Sequence, residues 1–263
     1  MLEQPVTLYT PILLNLIRRR GADPHNTLSG QAVWLSEDAQ RQQDQAVNEL
    51  LTQHGLMGPR GIDRDLLGLI QSIARPNLEY FGWFEGKTSG GSLNLGILAG
   101  SGPGGAFVAV RDLNKETVIL APERPEELLQ GFLNQIPAFR PGTGAPLSVS
   151  KSEFTTGRQQ LAEEGDFSVM RRGPGRAEDA SPVKAIKRIM AADRTGAGTL
   201  YVAVRSQAGT RRRCQKPLNF VDTAEGRWLM EERPGRGDSL VMFTPATPQV
   251  IGQRLRNAQS ALG

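Results

Sequence analysis

Apolar residues in the first third of the chain recur every three or four positions, with polar residues between them. This spacing predicts amphipathic helices that begin at a capping residue and end near glycine or proline. Three helices are predicted, over residues 10–20, 37–54 and 63–75. We expect Thr10 to cap the first helix and Gly21 to close it in the left-handed conformation.

After Pro76 the apolar spacing shortens to two residues, which is the period of a β-strand. Four strand-like segments follow, separated by turn residues: 78–85, 92–99, 106–112 and 116–120. A helix opened by Pro122 and Pro125 comes next. The order predicts an antiparallel meander followed by a helix.

The second half of the chain repeats the order of helix, four strands and helix. Its strand-like segments are 198–205, about 212–219, 227–231 and 239–243. Val118–Pro125 aligns with Val241–Pro248 at a constant offset of 123 residues. Self-similarity at a fixed distance indicates a repeated structural unit. We therefore interpret the chain, residues 1–263, as one domain built of two pseudo-repeats, about 62–136 and 182–258.

These elements predict an α+β fold with a largely antiparallel central β-sheet, flanking helical bundles and a pseudo-two-fold internal repeat. One four-stranded meander with a single helix is only marginally stable, so the two repeats are expected to share a core. Ser150 and Glu153 have the spacing of a capping box that opens a short helix. The stretch from about Met170 to Pro182 lacks apolar residues and predicts a surface loop.

The charge balance argues against a strongly basic nucleic-acid-binding protein. The formal net charge is +4, from 31 Lys and Arg against 27 Asp and Glu, and 25 of the 31 cations are Arg. A single cysteine, Cys214, excludes an intramolecular disulfide and a multi-cysteine metal site. Neither a signal-like segment nor an apolar run of about 20 residues is present, so we expect a cytoplasmic protein without membrane insertion.

Two glycine-rich segments resemble nucleotide-binding loops without meeting their structural requirements. Gly100–Gly105 has the spacing of a dinucleotide-binding loop, but the residues after it favour a strand where that motif needs a helix. Gly86–Thr88 lacks the spacing of a phosphate-binding loop. No catalytic constellation is recognisable, so we expect a non-enzymatic protein without cofactor or metal. A small-molecule enzyme that uses Gly100–Gly105 is the third-ranked alternative.

Arg211–Arg213 is the densest positive cluster in the predicted sheet region, at the tip of a predicted hairpin. Three interpretations are open: an exposed tip without partner, a contact for an acidic protein, or a nucleic-acid contact. Nucleic-acid binding favours aromatic residues among the basic ones, and the nearest aromatic residues are Tyr201 and Phe220. A protein partner is therefore the preferred functional interpretation.

Three stretches of the second half, 196–205, 217–228 and 244–248, are similar to the EspG family of cytosolic chaperones for type VII (ESX) secretion. The most specific match is the turn Asp222-Thr-x-x-Gly226-Arg-Trp228, which is followed by late prolines. The order of the N-terminal helices agrees as well. The resemblance implies a pseudo-two-fold mixed fold in which Asp222, Gly226 and Trp228 determine the fold.

The resemblance further implies a chaperone that binds a helical PE/PPE-type secretion substrate, keeps it soluble and helps direct it to its secretion system. It allows for a homodimer when no substrate is bound. The implied contacts are the Gly86–Ser92 loop and the sheet near Arg211–Lys216. The partner-binding residues expected from these regions are Lys87, Thr88, Ser89, Arg211, Arg212, Arg213 and Lys216. A nucleic-acid-binding regulator that acts through the Arg211–Arg213 hairpin is the alternative.

Overall fold

A computed structural model describes residues 4–29, 35–88, 90–155 and 181–263. The chain forms two compact units. Unit 1 comprises Met1–Pro137, Thr199–Pro217 and Gly252–Gly263, and unit 2 comprises Ala138–Gly198 and Leu218–Ile251. The first predicted pseudo-repeat lies in unit 1 and the second is divided between both units, so the repeat stays a prediction.

Unit 1 begins with a short strand and three helices, followed by a four-stranded meander and a fourth helix. In chain order these are β1 (Val6–Tyr9), α1 (Thr10–Arg18), α2 (Glu37–Gln53), the small hairpin β2 (Met57–Gly58) and β3 (Gly61–Ile62), α3 (Arg64–Ala74), β4 (Leu78–Thr88), β5 (Gly91–Gly102), β6 (Gly105–Asp112), β7 (Thr117–Glu123), a 3-10 turn (Pro125–Glu127) and α4 (Leu128–Asn134).

The remaining elements alternate between the two units along the chain. They are β8 (Leu147–Ser150), α5 (Pro182–Ala191), β9 (Arg194–Arg205), β10 (Arg211–Arg213), β11 (Leu218–Thr223), β12 (Gly226–Arg233), β13 (Leu240–Pro245) and α6 (Pro248–Ser260). The residues of β9 and α6 are shared between the ranges of both units. No helix within the described ranges is long and apolar enough to cross a membrane.

The strands of unit 1 lie in the order β1-β7-β6-β5-β4-β9, with β10 beside β9. Adjacent strands of the meander are antiparallel, and their registers are continuous. β1 pairs antiparallel with β7 and completes this side of the sheet. The predicted antiparallel meander is confirmed, although its strands are longer than the apolar pattern indicated.

The two faces of the unit 1 sheet carry different helices. Phe81 of β4 belongs to a core that also contains Leu13 of α1 and Ile70 of α3. Tyr80, the next residue of β4, packs against Phe132 of α4, with ring centroids 6.0 Å apart. Neighbouring strand residues point to opposite faces, so β4 is buried on both sides at this point.

The arginines at the end of α1 hold that helix against α2. Arg18 pairs with Asp44, and Arg19 Nη1 donates to Asn48 Oδ1 at 2.7 Å. Burial acts to raise the pKa of Asp44, but the hydrogen bond from Asn15 and the charges of Arg19 and Arg18 hold it below its usual value. Gly21 follows with φ +66°, as predicted. The expected cap at Thr10 is wrong, because β1 leads directly into α1 and Thr10 is already helical.

Unit 2 contains an antiparallel array in the order β11-β12-β13-β8. Its core includes Val149 of β8, Ile186 of α5, Val221 of β11, Trp228 of β12 and Phe243 of β13. The short helix predicted at Ser150 is present at residues 151–155. Ser150 Oγ accepts from the Glu153 amide at 3.2 Å while Glu153 Oε2 accepts from the Ser150 amide at 3.2 Å, which confirms the capping box.

Several boundaries differ from the sequence-based expectation. The predicted strand 212–219 is divided into β10 and β11, because the chain bends at residues 215–216 between them. The strands β1, β2, β3 and β8 are too short to give an alternating signal of their own. The surface loop predicted over about 170–182 lies mostly outside the described residues, which resume at Ser181.

Candidate protein-binding surface

Aromatic and arginine side chains meet on one face of the unit 1 sheet. β4 contributes Phe81 and Trp83, β9 contributes Tyr201, and β10 contributes Arg211 and Arg213. We call these five residues the aromatic–arginine surface. The residues of each strand alternate in sequence, which places them on the same side of the pleated sheet.

Stacked rings form the base of this surface. The Phe81 and Tyr201 rings are parallel to within 12°, with centroids 5.2 Å apart. Trp83 meets both rings edge to face, with its centroid 6.2 Å from that of Phe81 and 6.2 Å from that of Tyr201. Phe81 is buried, whereas Trp83 and Tyr201 are only half-buried. Edge-to-face and offset aromatic pairs fix ring orientation, so the half-exposed rings form a firm apolar platform.

Arg211 and Arg213 lie over these rings but differ in their charge environment. The Arg211 guanidinium carbon is 5.3 Å from the Phe81 centroid, and that of Arg213 is 4.8 Å from the Tyr201 centroid. Arg211 also forms an ion pair with Glu79. Arg213 is exposed, and in the described part of the chain no carboxylate lies within 4 Å of it. The surface therefore carries one cation neutralised from below and one that faces solvent.

Glu79 and His25 form a polar layer beneath Arg211. The Glu79 side chain is 3% exposed, and its Oε2 lies 3.7 Å from His25 Nε2. Burial raises the pKa of Glu79, an effect that Arg211 and Arg205 oppose. Burial, and then the nearby charge of Arg211, lowers the pKa of His25 to about 4. His25 is therefore neutral at pH 7, and its ring packs edge-on against Phe81 with centroids 4.6 Å apart.

The structure separates the predicted arginines by face. Arg211, Arg212 and Arg213 pair with Arg205, Val204 and Ala203 of β9, so they form a strand rather than the tip of a hairpin. The preceding turn is closed by the Ser206 amide, which donates to the Thr210 carbonyl at 2.9 Å. Arg212 points to the opposite face, where a Cβ added at Gly263 would lie 3.2 Å from its Nη2. Lys216 is exposed at the bend that follows β10.

The other predicted contact region is smaller than expected. β4 continues to Thr88 and β5 begins at Gly91, with Thr88 and Gly91 paired, so most of the predicted Gly86–Ser92 loop belongs to these two strands. Lys87 lies in β4 on the same face as Trp83, and Thr88 lies on the other face. Ser89 lies outside the described residues.

The glycines of the Gly100–Gly105 segment serve packing. They form a tight hairpin between β5 and β6, in which the Gly104 amide donates to Ser72 Oγ of α3 at 2.9 Å. A Cβ at Gly104 would lie 1.9 Å from the Gly68 carbonyl oxygen, so this glycine lets α3 approach the hairpin. β6 follows without a helix, which confirms the strand expected after this segment.

Sequence reasoning did not identify Phe81 and Trp83 as part of this surface, or Glu79 and His25 as the polar groups beneath it. Glu79, Phe81 and Trp83 occupy alternate positions of one predicted strand, which is a signal that the sequence contained. His25 comes from a segment without periodicity, so only the fold brings it here. Across the described ranges, no group of three His, Cys, Asp or Glu side chains is arranged to hold a metal ion.

Comparison with known families decides the relationship of the chain. The sequence model of the EspG family matches residues 14–257. The chain belongs to the EspG family. No curated protein matches it. Its fold is similar to that in the "Structure of the Mycobacterium tuberculosis type VII secretion system chaperone EspG5 in complex with PE25-PPE41 dimer".

The likeness of this EspG family member to EspG5 extends over almost all of both chains. The TM-score is 0.64 at 14% sequence identity, with 99% of this chain and 97% of the EspG5 chain covered. At this identity the similarity shows a common α+β fold with a large antiparallel sheet. The predicted α+β class with its large antiparallel sheet and the predicted family are confirmed, while the internal pseudo-repeat stays a prediction.

Proposed function

We propose that this EspG family member is a type VII secretion chaperone that binds a PE/PPE-type substrate in the cytoplasm. The observation that carries the proposal is the family match over residues 14–257, joined to a fold shared with a chaperone captured with a PE25–PPE41 dimer. The proposed task is to cover an apolar helical surface of the substrate before export. An exposed apolar patch of this kind promotes aggregation until it is covered.

The aromatic–arginine surface has features suited to such a task. Trp83 and Tyr201 offer apolar area that is held in place by the stacked Phe81 ring. Aromatic residues and arginine are enriched in protein interfaces because they combine large contact area with polar groups. The exposed cation at Arg213 adds charge selectivity, which limits binding of unsuitable apolar segments. The predicted partner-binding residues Lys87, Arg211 and Arg213 belong to this face.

The geometry gives less support to the alternative of a nucleic-acid-binding regulator. Arg211 is paired with buried Glu79, and Arg212 points to the opposite face, so the three arginines do not form one cationic groove. A protein that neutralises several phosphates loses affinity steeply with salt. Steeply salt-dependent DNA binding at near-physiological ionic strength is the result that would favour this alternative.

Co-expression with PE–PPE pairs of the source organism tests the proposal. We expect the tagged chain to capture both PE and PPE, and the soluble fraction of the PPE protein to fall when the chain is omitted. Substitution of the chain by an unrelated protein of similar size and charge controls for non-specific solubilisation. Failure to capture any PE–PPE pair of the source organism, with unchanged PPE solubility, overturns the proposed function.

A further inference from the structure

We infer that the aromatic–arginine surface selects a partner helix that carries an apolar side chain and, one or two turns further along, an Asp or Glu side chain. The inference rests on the proposed function and specifies the chemistry of the partner segment. The apolar residue contacts Trp83 and Tyr201, and the carboxylate pairs with Arg213. The occupant is therefore an acidic amphipathic helix.

The positive charge that remains on this face, after pairing within the chain, supports an acidic partner. Arg211 is stacked on Phe81 and neutralised by Glu79, so its charge is matched within the chain. Arg213 is stacked on Tyr201, is exposed, and has no ion-pair partner among the described residues. Lys87, further along the same face of β4, is likewise exposed and unpaired among the described residues. Glu85 lies between Trp83 and Lys87 on this face of β4, is exposed, and has no ion-pair partner among the described residues. Arg213 and Lys87 outweigh this single carboxylate, so the face that a partner approaches is positive by one charge.

Stacking on Tyr201 fixes the orientation of the Arg213 guanidinium, so that a carboxylate can bind it in one orientation. Its guanidinium carbon lies 4.8 Å from the centre of the Tyr201 ring, which orients the planar group before any partner binds. A planar guanidinium can bind a carboxylate with two parallel hydrogen bonds. Because the side chain is already ordered by stacking, less conformational entropy is lost when the ion pair forms.

The dimensions of the surface set the spacing in the partner helix. The Trp83 and Tyr201 centroids are 6.2 Å apart, and the Arg213 guanidinium carbon is 4.8 Å from the Tyr201 centroid, so it lies within about 11 Å of the Trp83 centroid. One helical turn advances about 5.4 Å, so an apolar residue over Trp83 places positions one or two turns away near Arg213. The matching pattern is an apolar residue at i with Asp or Glu at i+4 or i+7.

β10 supplies a matched control for this inference. Arg212 and Arg213 are adjacent, exposed and both without a described ion-pair partner, but they face opposite sides of the sheet. R213E and R212E therefore change the net charge equally, and only R213E alters the aromatic–arginine surface. The sequence-based expectation treats both residues as contacts, so the pair of variants decides between one face and the other.

The experiment measures the affinity of each full-length variant for the PE–PPE pair that co-purifies with the unchanged chain. We expect R213E to weaken binding about tenfold or more and R212E to change it less than about twofold. R213Q should weaken binding less than R213E does. It should also make the affinity less dependent on salt than that of the unchanged chain, since one ion pair that salt screens is lost. Thermal unfolding of each variant verifies that the fold is retained.

Exchange of charge across the interface completes the test. Replacing the matching Asp or Glu of the PPE helix by Arg is expected to restore binding to R213E and to weaken binding to the unchanged chain. Equal loss in R212E and R213E, or full affinity in R213E, overturns this inference while the chaperone function stands. Absence of any complex with the unchanged chain overturns the proposed function itself.

Discussion

At the scale of single residues, Asp222 and Arg227 carry the least exposed charges among the described residues of unit 2. Their side chains are 2% and 5% exposed, and the Arg227 Nε and Nη2 atoms donate to the two Asp222 carboxylate oxygens at 2.7 and 2.8 Å. The Arg227 guanidinium also lies 4.4 Å from the Phe220 ring centre. The sequence signature at Asp222–Trp228 thus corresponds to a buried ion pair within the core of the turn.

Asp222→Asn is expected to destabilise the protein strongly, because it removes the carboxylate that accepts two hydrogen bonds from the buried Arg227 guanidinium. The free energy of unfolding should fall by about 3–5 kcal/mol, as measured by urea denaturation. Arg188→Gln is the control, since the Arg188–Glu225 pair is in the same unit but its arginine side chain is 67% exposed. That variant should lose less than about 1 kcal/mol, and equal losses in both would contradict the assignment of Asp222 as a fold determinant.

His25 predicts an acid sensitivity of the fold. Its pKa is about 4 in the folded protein and near 6.5 in an unfolded chain, so the unfolded state binds the proton first as the pH falls. The contribution of His25 to the free energy of unfolding is therefore complete above pH 6.5 and falls as the pH drops from 6.5 to 4. At pH 5 the loss relative to pH 7 should be about 2 kcal/mol.

His25→Gln removes the titrating group while keeping a polar side chain at this position. Urea denaturation at pH 7 and pH 5 should show a smaller loss in His25→Gln than in the unchanged chain. Glu79 is present in both proteins and contributes in the opposite direction, because its raised pKa favours the folded state at low pH. Identical pH dependence of the two proteins would show that His25 is not held neutral by burial.

At the scale of elements, the hairpin between β11 and β12 contains the glycine of the family signature, Gly226. Thr223 pairs with Gly226, and Gly226 has φ +114°. A Cβ at Gly226 would lie 2.3 Å from the Pro141 carbonyl oxygen. Both the backbone conformation and the space around it require glycine.

Gly226→Ala should therefore cost more than the substitution of another left-handed glycine. We expect a loss of about 2–4 kcal/mol in the free energy of unfolding, from backbone strain and the close contact together. Gly55→Ala is the control: φ is +69° at the end of α2, and a Cβ there meets nothing within 4 Å. It should lose about 1–2 kcal/mol. A comparable loss in both variants would indicate that the contact with Pro141 relaxes freely.

The elements most accessible from the sequence were those with long periodic patterns or explicit caps. The predicted helices 37–54 and 63–75 correspond to α2 and α3. Ser36 caps α2 by accepting from the Ala39 amide, and Asp63, predicted as the first residue of its helix, caps α3 by accepting from the Asp65 and Leu66 amides. The predicted cap at Thr10 was wrong because a capping preference is local, whereas the start of α1 is set by the pairing of β1 with β7. The predicted strand 212–219 was wrong for a similar reason, since a bend at residues 215–216 divides it into β10 and β11.

Local sequence patterns also predicted only part of the aromatic–arginine surface. Arg211 and Arg213 were identified from composition, and their order in β10 then assigns them to one face. Glu79 is 132 residues from Arg211 in the chain, and only the neighbouring positions of β4, β9 and β10 bring the two together beside Tyr201. Local sequence patterns could predict the strands, but the side-chain cluster depends on which strands become neighbours.

At the scale of the whole molecule, the division into two units does not follow the predicted pseudo-repeats. Unit 1 takes Thr199–Pro217 and Gly252–Gly263 from the second half of the chain. The aromatic–arginine surface depends on this exchange, because Tyr201, Arg211 and Arg213 come from one of those segments. A truncation at the end of the first meander would remove three of the five residues of the surface, so binding experiments require the full chain.

The proposed chaperone function predicts a defined complex. Size-exclusion chromatography with light scattering on the co-expressed chain and PE–PPE pair is the most direct test. We expect one peak whose mass equals 28.6 kDa plus the mass of one PE–PPE heterodimer. Separate peaks for the free chain and for the PE–PPE pair, at concentrations of tens of micromolar and physiological salt, would contradict the account.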